Sequence, residues 1–110
     1  MSKTDANYAA GALENITYLR DHLTRGSLAQ QVILDAVCMR LGAALEEASH
    51  ISPEARDLAF GEEWRGMWAT RNRIAHAYLD INPAAIAAMV ENHLDAFEVA
   101  LRSLAPDAPR

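Results

Sequence analysis

Between positions 71 and 78 the chain reads Arg-Asn-Arg-Ile-Ala-His-Ala-Tyr, which sets a permanent cation, an amide, an imidazole and a phenol within about two turns of an expected helix. These side chains can handle phosphate. Arg71 can grip a phosphate through two parallel N–H bonds, and His76 can give or take a proton near neutral pH. The pair therefore suits phosphodiester chemistry without a metal. At about 100° per residue, Met67, Ile74 and Ile81 form one stripe, with Thr70 and Ala77 beside it, and this is the expected core face. Asn72 and His76 fall one turn apart on nearly the opposite side, and Arg71 and Tyr78, about 20° from each other, form a second polar line. Trp64, Trp68, Ala75 and Leu79 lie between the two lines, where simple amphipathicity expects water. Apolar side chains in that sector predict a protein contact, most economically a homodimer. A twofold interface can place two Arg/His sets around one cleft.

The elements that must hold this segment follow from periodicity and caps. Thr4-Asp5 signals an N-terminus, and Tyr8, Ala12, Ile16, Leu19 and Leu23 recur at helical spacing up to a stop near Arg25-Gly26. Ser27 is the expected cap of a second helix with apolar positions Leu28, Val32, Ala36, Met39, Ala43 and Leu45, interrupted at Ser49-His50-Ile51-Ser52-Pro53. A short helix should run from Ser52-Pro53-Glu54 to about Phe60, where Gly61 breaks it. The helix bearing the 71–78 segment should begin near Glu62 and continue to Ile81-Asn82-Pro83, a cap and first residue for a last helix reaching about Leu104. That last helix carries Ile86, Met89, Val90, His93, Leu94, Phe97 and Leu101 as its stripe. The expected fold is all-α, a small antiparallel bundle of four main helices plus a short one, in a single domain over 1–104 with a disordered tail over 105–110.

Composition sets bounds on partners. The chain has 110 residues, of which 51% are hydrophobic with alanine prominent, which favours closely packed helices over a β-sandwich. A formal net charge of −5 argues against broad, nonspecific nucleic-acid affinity, because such binding rests on neutralising phosphates. Any RNA contact must be local, and Arg56, Arg65, Arg71 and Arg73 can supply a basic patch. The single cysteine, Cys38, excludes an intrachain disulfide, fits a reducing cytoplasm, and reads as a small buried hydrophobe. No apolar run approaches the length of a membrane span, so no membrane partner is expected.

Arg71-x4-His76-x-Tyr78, with a polar residue directly after the arginine, resembles the motif of the HEPN superfamily and more closely that of its HepT-like toxins. Glu63-Trp64-Arg65-Gly66-Met67-Trp68 before it and Leu79-Asp80-Ile81-Asn82 after it are similar to that family's context. The resemblance implies an HEPN-like helical homodimer that cleaves RNA without a metal or other cofactor, with motifs from both protomers lining an interface cleft. It also implies the toxin half of a toxin–antitoxin pair whose antitoxin is a minimal nucleotidyltransferase (MNT). By position, Arg71 and His76 become catalytic, Asn72 assists, and Tyr78 becomes the residue to which the antitoxin transfers AMP. The expected reaction is attack by a ribose 2′-hydroxyl on its adjacent phosphate, with His76 moving the proton and Arg71 stabilising the added charge.

Other readings of the same residues are simpler. Arg71 and Arg73 can pair with nearby carboxylates while His76 remains a half-exposed helix residue, and Tyr78 can be a phenol packed at an interface. A helical module that binds a nucleotide or a nucleotidyltransferase and cuts nothing is the alternative function. Glu47-x-x-His50 matches one unit of a di-iron bundle, but no second Glu-x-x-His exists, so a metal role is not expected. His22 and His93 read as surface or satisfied residues, and Glu46-Glu47 and Glu62-Glu63 as solvated or first-turn charges.

Overall fold

Thr4 opens the first helix by a reciprocal cap: its hydroxyl accepts from the Asn7 backbone N–H at 3.2 Å, and its own N–H donates to the Asn7 side chain at 3.2 Å. In the computed structural model, which describes residues 4–109, the helices are α1 (Asp5–Thr24), α2 (Gln31–Ser49), α3 (Pro53–Phe60), α4 (Glu63–His76), α5 (Pro83–Asn92) and α6 (Leu94–Leu104), with a 3₁₀ turn at Tyr78–Asp80. The fold of the described residues is an all-helical bundle. Helices α1 and α2 share the largest face, α4 packs on α2, and α6 packs on α1 and α3. No helix among the described residues is long and apolar enough to cross a membrane.

Four features depart from the sequence reading. Ser27 does not cap α2: its N–H donates to Gln30 Oε1 at 2.8 Å and its hydroxyl accepts from Ala29 N at 3.3 Å. These local bonds fold 27–30 into a turn, and the helix starts at Gln31. The core register of α2 also differs. Leu34, Val37, Cys38, Leu41, Ala44, Leu45 and Ala48 are buried, whereas Val32 is 77% and Met39 72% exposed. Because α2 is apolar on several sides, two helical stripes fit its sequence, and contact with α1 selects one of them.

The helix expected to reach Ile81 stops at His76. Ala77 leaves helical geometry at φ −133° and ψ 37°, so Tyr78 sits on a separate turn and not on the helical line of Arg71. The last helix bends at His93, a weak helix former with φ −128°, dividing it into α5 and α6. His93 is exposed, while Ile86, Met89, Leu94, Phe97 and Leu101 enter the core as expected. Beyond α6, Ala105 is buried and Arg102 donates to the carbonyls of Ala108 and Pro109 at 2.8 and 3.2 Å, so residues 105–109 lie against α6, and Arg110 of the expected tail lies outside the described residues.

Two local devices set the frame around α4. The Asp5 carboxylate accepts from the Ser52 N–H and hydroxyl at 2.8 and 2.7 Å, tying the start of α3 to the start of α1. Gly61 takes φ 58°, a left-handed conformation that a side chain disfavours, and thereby turns the chain from α3 into α4. Gly42 serves by its lack of a side chain: a Cβ there would lie 3.2 Å from Ile74 Cγ2, so α4 approaches α2 closely at this point. Replacing Gly42 with Leu should therefore lower stability by about 1–3 kcal/mol through overpacking. Gly42→Ala should stay near wild type, because about 1 kcal/mol of helix propensity offsets a small adjustment of Ile74. Urea denaturation of both variants checks this ordering.

Candidate active site

Helix α4 crosses α2 antiparallel, and three pairs fix the register: Glu46 meets Arg71, Gly42 faces Ile74, and Asp35 meets Tyr78. Met67 is buried and Ile74 and Ile81 are partly buried against the core, which matches the expected inward stripe. The outer part of α4 carries Arg71, Asn72 and His76.

Arg71 is held from three sides. Its Nη2 lies 2.9 Å from Glu46 Oε2, its Nη1 donates to Asn72 Oδ1 at 3.2 Å, and its guanidinium carbon sits 4.7 Å from the centroid of the Trp68 ring. The Arg71 side chain is only 24% exposed. Trp68 stacks on Trp64 at 5.8 Å and Trp64 on Phe60 at 5.6 Å, with Arg56 over Trp64 at 5.1 Å. A ladder of rings thus runs along α3 and α4 and ends beneath the guanidinium. An ion pair this close to solvent contributes at most about 1 kcal/mol to stability. Its main effect is on where the cation points.

His76 differs in every respect. It closes α4, is exposed, and its side chain makes no hydrogen bond or ion pair with any described residue. Five residues from Arg71, it leaves the helix about 140° around the axis and about 7.5 Å along it. One chain therefore gathers Arg71, Asn72 and Trp68 and leaves His76 projecting on another side.

Tyr78 is 40% exposed, and its hydroxyl donates to Asp35 Oδ1 on α2. Gln31 also donates to that carboxylate oxygen, at 2.7 Å. The Asp35 bond, with smaller contributions from burial and from the same negative charge, pushes the Tyr78 phenol up to about 12. Bonds from Tyr78 and then Gln31 hold the Asp35 carboxyl below its ordinary value. Cys38 is fully buried and pushed up to about 11 by that burial, so the thiol acts as a core hydrophobe.

Of the sector expected to face a second protomer, Trp64 and Trp68 are partly covered by their own chain, Ala75 is exposed, and Leu79 is 98% exposed. Arg65 joins Trp64, Trp68, Asp57 and Glu62 around an open depression of about 700 Å³. Glu46, Asp35 and Met39 were not among the expected site residues. A signal existed, since Asp35, Gly42 and Glu46 fall on one line of α2, about 40° wide. Without the partner helix that line reads only as a solvated edge. Among the described residues, no group of three or more His, Cys, Asp or Glu side chains is arranged to hold a metal ion.

An all-helical bundle with Arg-x4-His-x-Tyr at the end of a helix laid across α2 defines a HEPN-type domain. A family model described as Ribonuclease HepT-like matches residues 10–104, nearly the whole bundle, and the chain belongs to the HepT-like ribonuclease family. Its activity class is that of a HEPN-type ribonuclease toxin. Comparison with curated proteins and with solved structures finds no match.

The Tyr78–Asp35 bond has a defined pH window. A raised phenol pKa contributes stability in full below the ordinary value of about 10, and this is lost as pH climbs through about 12. On the acid side the same bond, seen from Asp35, is lost as pH falls through its lowered pKa. Asp35→Asn should bring the Tyr78 titration back toward about 10. Ultraviolet titration against a Tyr78→Phe background, which subtracts Tyr8 and Tyr18, measures it.

Proposed function

We propose that two copies of this chain form a metal-independent endoribonuclease whose cleft takes Arg71 from each protomer and His76 from each protomer. The observation that carries this is the divergence of the two groups within one chain: Arg71 turned toward α2, His76 projecting and unpartnered at the helix end. A twofold axis beside the C-terminal turn of α4 brings the imidazoles and guanidiniums of two chains toward one linkage. Exposed Leu79 and Ala75 support that position for the axis, as does Met39, which the antiparallel register sets at the level of the last turn of α4.

In the reaction, the ribose 2′-oxygen attacks the adjacent phosphorus and the P–O5′ bond breaks, leaving a 2′,3′-cyclic phosphate and a free 5′-hydroxyl. One His76 takes the 2′-hydroxyl proton, and a proton is delivered to the departing 5′-oxygen. Arg71 lies where it can stabilise the charge added to the phosphorane, and Asn72 Oδ1 steadies the guanidinium. These side chains supply both the proton transfer and the cation, so the step asks nothing of a metal.

Neutralisation follows from Tyr78. A minimal nucleotidyltransferase partner transfers AMP from a nucleoside triphosphate to the phenolic oxygen, pyrophosphate leaves, and Asp35, already bonded to the hydroxyl, receives the proton. The adduct places a bulky anion next to the helix end that carries His76 and obstructs the approach of RNA. The acidic balance of the chain limits RNA contact to this arginine-bearing face.

Purified protein with unmodified Tyr78 should cleave RNA in EDTA and leave DNA intact, and His76→Ala or Arg71→Ala should reduce the rate by at least about a hundredfold. Intact RNA with the wild type would sink the ribonuclease mechanism and favour a binding module. Co-expression with the nucleotidyltransferase should add AMP mass to the wild type and none to Tyr78→Phe, as read by intact mass spectrometry.

A further inference from the structure

We infer that Glu46 is a positioning residue for Arg71, aiming its guanidinium from α2; this rests on the ribonuclease reading of Arg71. Glu46 Oε2 sits 2.9 Å from Arg71 Nη2, while Oε1 sits 3.6 Å from His50 Nε2, so one carboxylate bridges two cationic or potentially cationic groups. His50 is itself backed by Tyr8 of α1, stacked at 5.2 Å. A continuous chain of contacts from α1 through α2 therefore ends on the catalytic cation. Trp68 lies beneath the guanidinium and Asn72 accepts from Nη1, while Glu46 Oε2 attracts Nη2 as an ion pair without hydrogen-bond geometry, and this attraction is what we take to aim the cation.

The arrangement leaves a grip for substrate. Arg71 uses Nη1 toward Asn72 and Nη2 toward Glu46, and its Nε–H has no partner among the described residues. A phosphate can approach the guanidinium without displacing the carboxylate. Glu46 nonetheless opposes the phosphate by charge, and this gives it a signature unlike that of a folding residue. Removing the charge loosens the aim of Arg71, which lowers turnover, and it also removes repulsion, which does not weaken RNA binding.

Glu46→Gln keeps the volume and removes the charge. With an RNA substrate and EDTA present, kcat should fall about tenfold to a hundredfold while KM stays level or decreases. Nitrogen NMR of the Arg71 side chain should show restricted guanidinium rotation in the wild type and averaged signals in Glu46→Gln. In an Arg71→Lys background, whose ammonium lacks the planar fork, Glu46→Gln should cost less than twofold further. A kcat within twofold of wild type, or a rise in KM, overturns the inference. If wild type itself leaves RNA intact, the ribonuclease reading fails by that result, and the NMR comparison still decides whether Glu46 fixes Arg71. Equally mobile guanidinium signals in both proteins would show that it does not.

Discussion

The antiparallel contact between α2 and α4 is the constraint on which the site depends. Close approach at Gly42 and Ile74 brings the two helices near enough for short polar side chains at either end of the contact to reach across. Glu46 reaches Arg71 at one end and Asp35 reaches Tyr78 at the other. Side chains larger than alanine at Gly42 would force the axes apart and lengthen both reaches together. Packing thus sets the electrostatics of the site, although neither polar contact contributes much to stability by itself.

The two ends of that contact do different work. At Arg71, an aromatic ladder, an amide and a carboxylate remove freedom from a side chain that would otherwise sample many rotamers in water. At Tyr78, the chain has left the helical path for a 3₁₀ turn that follows His76 and Ala77, and the phenol bonds to Asp35. His76 is consequently a terminal residue with an unobstructed imidazole, flanked by a turn whose anchor is a phenol. A modification of that phenol would replace the anchor with a charged group two residues beyond the helix end, beside the imidazole proposed to move the proton.

An acidic protein that works on a polyanion must confine its attraction to a small area. Arg56 and Arg71 are tied to the tryptophan ladder, and Arg65 borders the same depression, so these cations are displayed on one face. Asp57 and Glu62 line that depression too and Glu46 pairs with Arg71, so even this face offers single cations and no broad basic surface. Selectivity in such a design comes from local geometry and not from net charge.

From the amino-acid order alone came the helical class, the α3 break at Gly61, the inward stripe of α4 and the motif residues themselves, because caps, glycine and 3.6-residue periodicity are local properties. The register of α2 was not legible: Val32 and Met39 fit a core stripe as well as Leu34 and Val37 do, and only contact with α1 distinguishes them. Glu46 and Asp35 looked like ordinary surface carboxylates because their partners lie 25 and 43 residues away along the chain, beyond any helical repeat. The early end of α4 was not legible either: Ala77 leaves helical geometry, and Tyr78 then bonds to Asp35, a residue that no local pattern links to it. Sequence named the groups proposed to act on phosphate; the crossing of two helices decided which of them is paired and which is left exposed.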